Sequence, residues 1–134
     1  MRSNYALAWS ILLTLAAGLV GTADAAGFDG VYTGKSKMAT QSYSQSGSGV
    51  SCKPEYDIKI TVRGDSITGE NLSIGGKASG TVQSDGSFTA EGGLAIQTQA
   101  RIQGKIEGNR IRATYTQRTR NATCTGTLEA VRQQ

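Results

Sequence analysis

Apolar and polar residues alternate along residues 101–115, on both sides of a Gly108-Asn109 pair. Gly-Asn between two alternating runs is typical of a tight hairpin, because primed turns need residues that tolerate positive φ. With these two residues as the turn, one face of the hairpin is apolar and the other is polar. The predicted inner pairs are Ile106–Ile111, Gly104–Ala113 and Ile102–Tyr115, and the predicted outer pairs are Lys105–Arg112, Gln103–Thr114 and Arg101–Thr116. A slip of one residue would mix the two faces, so the pattern predicts this register.

The same pattern recurs along the chain. Residues 56–62 also alternate, and the segments 62–67 and 82–88 each place a turn with glycine and aspartate between two apolar residues. No amphipathic helical segment is visible, and many short strands with Gly and Asp turns are typical of antiparallel β proteins. The sequence predicts a single all-β antiparallel meander, closed into a small up-and-down barrel of about seven or eight strands. A two-sheet β-sandwich is the alternative.

The inner positions of the predicted strands are mostly aliphatic or aromatic. Alternation places on this face Tyr32, Ile58, Ile60, Phe88, Ile96, Ile102, Ile106 and Tyr115. In a barrel these residues would line a cavity for a small apolar ligand, although small barrels are usually filled by their own side chains.

The first 25 residues have the features of a secretory signal peptide. A weakly basic start, an apolar run and a small-residue site near Ala25 follow one another. Residues 26–134 are then expected to form the single mature domain, with a periplasmic or secreted location. The apolar run is shorter than a membrane span needs, and no transmembrane segment is expected in the mature chain.

Residues 40–51 form a Ser/Gln/Gly-rich tract whose only large side chain is Tyr43. Such a tract buries little apolar area, so it predicts a flexible loop. The loop could present a surface to a protein partner, which is the interaction or inhibitor alternative for function.

Cys52 and Cys124 are the two cysteines of the chain. An even count behind a signal peptide indicates one disulfide in an oxidising compartment. Both cysteines share the parity of inward-facing residues, so a bridge from the second strand to the last is predicted.

The chain contains no histidine. Histidine is the commonest general base and metal ligand, and the predicted disulfide leaves no thiol as a nucleophile. No phosphate-binding, dinucleotide-binding or zinc-protease motif occurs, and the carboxylates do not cluster. The sequence therefore favours a protein that is not an enzyme and needs no cofactor or metal.

Cations concentrate near the end of the chain, which carries a net charge of +4. Within twenty residues lie Arg101, Lys105, Arg110, Arg112, Arg118 and Arg120. The first four face outward in the predicted hairpin, and Lys105 faces Arg112 directly, although like charges opposite each other destabilise a sheet. Such a face suits an anionic lipid headgroup or an acidic polysaccharide of the cell envelope. Nucleic acid is not favoured, because no aromatic residues alternate with the cations for base stacking. A solvated face that serves solubility is the alternative.

The Gly30-Val31-Tyr32 sequence resembles the G-x-W start of lipocalin-type barrels, with tyrosine where that family has tryptophan. The signal peptide and the Gly/Asp turns together resemble the small β proteins that Gram-negative bacteria export. The resemblance implies a β-barrel architecture and carries no catalytic motif.

Overall fold

The protein is an eight-stranded antiparallel β-barrel in which every strand pairs with the next and β8 pairs with β1. The computed structural model describes residues 25–43, 54–72, 76–93, 99–119 and 122–134. A 3₁₀ turn, Ala25–Phe28, precedes the strands. The strands are β1 (Gly30–Tyr43), β2 (Glu55–Arg63), β3 (Ser66–Leu72), β4 (Gly76–Val82), β5 (Ser87–Gly92), β6 (Gln99–Glu107), β7 (Arg110–Arg118) and β8 (Ala122–Arg132). The predicted up-and-down barrel is confirmed, and the sandwich alternative was wrong.

The local hairpins have the predicted registers. Ile106 lies opposite Ile111 and Lys105 lies opposite Arg112, around a turn in which Gly108 has a φ of 59°. The positive φ is the reason that glycine is needed at this turn. Val62–Ile67 and Val82–Phe88 are also opposed as the alternation predicts.

The shared parity of Phe28, Gly30, Tyr32, Gly34 and Met38 predicts a first strand from Phe28 to Met38, and the observed strand differs from this at both ends. Phe28 belongs to the 3₁₀ turn instead of the strand, which begins at Gly30. The strand continues to Tyr43, so the first four residues of the predicted loop 40–51 are extended. Their backbone pairs with β8 after a bulge between Met38 and Thr40. Strand pairing satisfies backbone hydrogen-bonding groups without burying apolar area, so a polar composition did not prevent it. Residues 44–51 of the predicted loop lie outside the described residues.

One core fills the end of the barrel that carries the tight turns. The residues flanking those turns are buried and belong to one cluster, which includes Val62, Ile67, Val82, Phe88, Ile106 and Ile111. Every predicted inner residue that the structure describes is buried; Ile96 lies outside the described residues. The side chains predicted to line a ligand cavity therefore pack against one another.

Four inward-facing glycines lie directly opposite alanines on the neighbouring strand. These cross-strand pairs are Gly34–Ala130, Gly80–Ala90, Gly92–Ala78 and Gly104–Ala113. At each glycine an added Cβ would lie 2.6 or 2.7 Å from the Cα of the partner alanine. Adjacent backbones therefore approach closely at these points, as expected where a sheet bends sharply to close a small barrel.

The 3₁₀ turn closes the core end of the barrel through Tyr32 and Arg132. The Tyr32 hydroxyl donates a hydrogen bond to the Phe28 carbonyl oxygen at 2.7 Å. Arg132 Nη2 donates to the same hydroxyl at 2.7 Å and to the Gly27 carbonyl oxygen at 3.0 Å. The guanidinium carbon lies 5.3 Å from the centre of the Tyr32 ring, within cation–π range. Tyr32 is fully buried, so these contacts anchor the start of the barrel to its last strand.

Cys124 faces inward, as predicted, and is fully buried. Cys52 lies outside the described residues, as do the predicted signal peptide up to residue 24 and Arg120. The disulfide and the signal peptide therefore stay predictions.

Replacing Gly34 with alanine should lower the free energy of unfolding by about 2 kcal/mol, in the range of overpacking substitutions. The new Cβ would overlap the Glu129 carbonyl oxygen and lie 2.6 Å from Ala130 Cα, and backbone atoms cannot move away cheaply. Gly27→Ala is the matched control, because nothing lies within 4 Å of its added Cβ. Urea denaturation of the mature domain would measure both. Equal stability of the two variants would contradict the close-approach argument.

Tyr32→Phe should cost about 1 to 3 kcal/mol, because the Phe28 carbonyl and Arg132 lose a buried partner. Tyr43→Phe, on the same strand, is the control, since Tyr43 is 53% exposed and its loss should cost less than about 0.5 kcal/mol. Thermal melts followed by circular dichroism measure the difference. Similar melting temperatures for the two variants would mean that the Tyr32 hydroxyl does not hold the end of the barrel.

Candidate binding surface on the outer face

The predicted cationic residues lie on the outer face of two adjacent strands. Arg101 and Lys105 are on β6, and Arg110, Arg112 and Arg118 are on β7; all five are exposed. On each strand the cations are an even number of positions apart, so strand alternation places them on the same face. Every predicted site cation that the structure describes therefore lies on this outer face, with Arg110 and Arg118 at opposite ends of β7.

Carboxylates from the same hairpin and from neighbouring strands lie beside three of these cations. Nitrogen-to-oxygen distances are 3.8 Å for Arg101–Glu91, 3.9 Å for Lys105–Glu107 and 3.9 Å for Arg112–Glu129. All six side chains are at least half exposed, so these pairs are weak and are screened by salt. The face is thus mixed in charge, with a cationic excess.

Arg110 and Arg118 have no carboxylate within 4.0 Å among the described residues. Both are exposed. Their guanidinium groups are therefore more available to a binding partner than those of Arg101 and Arg112.

Closure of the barrel adds two further cations that sequence reasoning missed. β8 separates β7 from β1, and Lys35 and Lys37 of β1 lie opposite Glu129 and Thr127 of β8. Lys105, Arg112, Glu129 and Lys35 are thus successive cross-strand neighbours on four adjacent strands. We call Lys35, Lys37, Lys105, Arg110 and Arg112, with Glu129 among them, the outer charged strip.

Lys35 is already paired with acidic residues of β2. Its Nζ lies 2.6 Å from Glu55 Oε1 and 3.6 Å from Asp57 Oδ1. The hydrogen bond to Glu55, and then its charge, raise the pKa of Lys35, and the same hydrogen bond lowers the pKa of Glu55. Lys37, two residues further along β1, has no carboxylate within 4.0 Å in the described ranges.

Two shallow grooves cross the outer charged strip. One, of about 420 Å³, runs over β6–β8 and includes Lys105 and Arg112. The other, of about 370 Å³, runs over β7, β8 and β1 and includes Lys35, Lys37 and Arg110. Thr127 and Glu129 line both grooves, so the two are adjacent. The ammonium, guanidinium and hydroxyl donors of these grooves suit phosphate, sulfate or carboxylate groups.

The acidic turn residue Asp85 has a local structural role. Its Oδ1 accepts hydrogen bonds from the Ser87 backbone N–H at 3.0 Å and the Ser87 hydroxyl at 2.6 Å. These hydrogen bonds lower the pKa of Asp85. Over the described ranges, no three His, Cys, Asp or Glu residues group as they would around a metal ion. No helix in those ranges has the length and apolarity to span a membrane.

No family model matches this chain, and neither curated proteins nor solved structures gave a significant match. The molecule is a closed eight-stranded barrel that carries the outer charged strip, in which cations outnumber carboxylates.

In an NMR titration, the Glu55 carboxyl should titrate below the ordinary glutamate pKa, and Lys35→Met should return its pKa towards that value. Because folding lowers this pKa, the ion pair stabilises the fold when the pH is above the ordinary glutamate pKa. This stabilisation is lost as the pH falls through the pKa of Glu55 in the folded protein. Lys59→Met, an outward change on β2, should leave the Glu55 titration unchanged. If the Glu55 pKa were ordinary in the wild type and unchanged in Lys35→Met, Lys35 and Glu55 would not form an ion pair in solution.

Proposed function

We propose that this protein is an exported, non-enzymatic binding module that binds an anionic component of the cell envelope through the outer charged strip. The observation that carries the proposal is the direct opposition of Lys105 and Arg112 on adjacent strands. Such a pair costs a few tenths of a kcal/mol, and a neutral residue at either position would remove that cost. An anionic partner bound by both cations would offset this cost.

The surroundings of the pair support anion binding. Lys105 and Arg112 are 52% and 68% exposed at their side chains, and both line the same groove. Glu129 offsets only part of the charge, since its contact with Arg112 is long at 3.9 Å. The matching groups on a partner are phosphates of lipid headgroups or carboxylates and sulfates of acidic polysaccharides, which arginine binds with two parallel hydrogen bonds.

Export and a disulfide are parts of the same proposal. The signal peptide predicted for residues 1–25 supports a periplasmic or secreted location, where thiols oxidise. Cys124 is buried and faces the barrel interior, as the proposed Cys52–Cys124 bridge requires. A bridge over so long a loop would stabilise the fold by about 4 kcal/mol in the chain-entropy model.

The structure gives less support to the two alternatives, an apolar ligand inside the barrel and a protein partner bound through residues 40–51. The residues proposed to line an apolar ligand cavity pack together as the core. Most of the segment proposed to bind a protein partner lies outside the described residues, and its first four residues pair with β8. We therefore place the outer charged strip first.

The double charge reversal Lys105→Glu with Arg112→Glu should abolish retention of the mature domain on heparin and its binding to phosphatidylglycerol vesicles. Each Lys or Arg near an anionic surface contributes about 1 kcal/mol, so loss of two weakens binding about 30-fold or more. Elution across a salt gradient and vesicle co-sedimentation are the measurements. Loss on heparin alone would identify a polysaccharide partner, and loss on vesicles alone a lipid partner.

Arg63→Glu with Lys77→Glu is the matched control, because it makes the same charge change on β2 and β4, at residues that line neither groove of the strip. Both residues are exposed, so the fold should tolerate their replacement. Circular dichroism would confirm that both double variants fold. Equal losses in the two double variants would mean that binding depends only on net charge. Unchanged binding by the Lys105→Glu, Arg112→Glu variant would exclude the strip as the site.

A further inference from the structure

Two exposed arginines lie outside the outer charged strip, near the other end of the same hairpin. Arg101 of β6 is opposite Thr116 of β7, and Arg118 is two positions beyond Thr116. Residues on such a diagonal are about 7–8 Å apart, so the two arginines form a second cationic cluster. Arg118 follows Arg112 of the strip by six positions on β7, which corresponds to about 20 Å. A single partner that contacts both clusters must therefore be extended.

The surface between the two clusters is neutral and carries hydroxyl groups. Outward-facing threonines of β7 and β8 lie opposite each other there, in the pairs Thr114–Thr127 and Thr116–Thr125. Thr40 of β1 continues the row, because its hydroxyl is hydrogen-bonded to that of Thr125. Between the two clusters, neither β7 nor β8 carries a carboxylate. We call these five residues the threonine patch.

The larger groove of the strip extends onto the threonine patch. Besides Lys105 and Arg112, its lining includes Gln103, Thr114 and Thr127. Amide and hydroxyl side chains donate and accept hydrogen bonds, as the hydroxyls of a sugar do. An acidic polysaccharide carries such hydroxyls between its carboxylates or sulfates. It therefore has a matching group for each part of this surface.

The same surface is less suited to a lipid bilayer. Binding at a lipid interface scales with the apolar area that is buried, and it typically uses tryptophan, phenylalanine or leucine. Along β6, β7 and β8, all of which the structure describes, Val131 is the single apolar residue at an outward position. A hydroxyl-rich partner fits this face better than a membrane does.

We infer that the anionic partner is a linear acidic polysaccharide that lies along β7, with its acidic groups on both cationic clusters and its hydroxyls on the threonine patch. The inference rests on the proposed function, because it specifies the partner of the outer charged strip. It gives Arg101 and Arg118, which lie outside the strip, the role of a second contact. Two contacts on one chain reinforce each other, since binding at the first raises the effective concentration of the chain at the second.

Titration calorimetry with heparin oligosaccharides of increasing length, at one fixed salt concentration, tests the inference. A disaccharide is too short to reach from Arg112 to Arg118, whereas a dodecasaccharide spans both. The dodecasaccharide should bind about 100-fold tighter, a gain larger than the number of disaccharide units that it contains. An affinity that grows only in proportion to that number would overturn the second contact and leave the strip as the site.

Arg118→Gln should weaken binding of the dodecasaccharide about 10-fold, the usual effect of one lost charged hydrogen bond, and leave that of the disaccharide unchanged. Arg118 is exposed and has no carboxylate within 4.0 Å among the described residues, so the fold should tolerate this change. Arg63→Gln is the matched control, because it makes the same substitution at an exposed position of β2. Equal losses in the two variants would contradict the second contact.

Thr114→Val with Thr127→Val removes two hydroxyls of the threonine patch without a change in charge. This variant should weaken binding of the dodecasaccharide about 10-fold, through the loss of two neutral hydrogen bonds. Thr68→Val with Thr81→Val makes the same changes at exposed positions of β3 and β4 and should bind as the wild type does. Unchanged binding by the first double variant would exclude the threonine patch from the site.

Phosphatidylglycerol vesicles separate failure of this inference from failure of the proposed function. Vesicle binding that requires Lys105 and Arg112, without binding of any oligosaccharide, would assign the strip to lipid headgroups and overturn this inference alone. Absence of binding to both vesicles and oligosaccharides would overturn the proposed function as well.

Discussion

The pairing of β8 with β1 is the constraint on which the rest of the structure depends. It joins the two ends of the strand sequence and leaves no sheet edge among the described strands. It also gives every residue of a strand one of two environments, interior or solvent. The bulge between Met38 and Thr40 and the Gly34–Ala130 contact both lie on this pair of strands, where the sheet must bend to close.

Closure also determines the electrostatics of the outer face. Glu129 lies on β8 between Arg112 of β7 and Lys35 of β1, so one carboxylate faces cations on both sides. Lys35 has Asp57 opposite it on its other side, whereas Arg112 has Lys105. That contact is therefore the point where the alternation of charge around this part of the barrel fails. A partner that supplies negative charge would complete the alternation there.

The sequence predicted what depends on local chain geometry. The register of the Gly108-Asn109 hairpin follows from its turn and its alternation, and both strands are adjacent in the chain. The proximity of Glu129 to Arg112, or of Lys35 to Glu129, depends on the register of β8 against β7 and β1. A meander predicts which strands are neighbours but not that register, so the acidic neighbours and the two β1 lysines were not predicted. The extension of β1 to Tyr43 was missed for the same reason, because its partner strand is distant in sequence.

The interior divides into two halves with different physical tasks. The half near the tight turns holds the large aliphatic and aromatic side chains, and the Tyr32–Arg132 contacts seal it. Burial of this cluster is the main favourable term for a domain of this size. The other half contributes less apolar area and contains the unpartnered atoms of Ser36 and Gln117. Because the first half supplies most of the core, the second can tolerate unpaired polar groups.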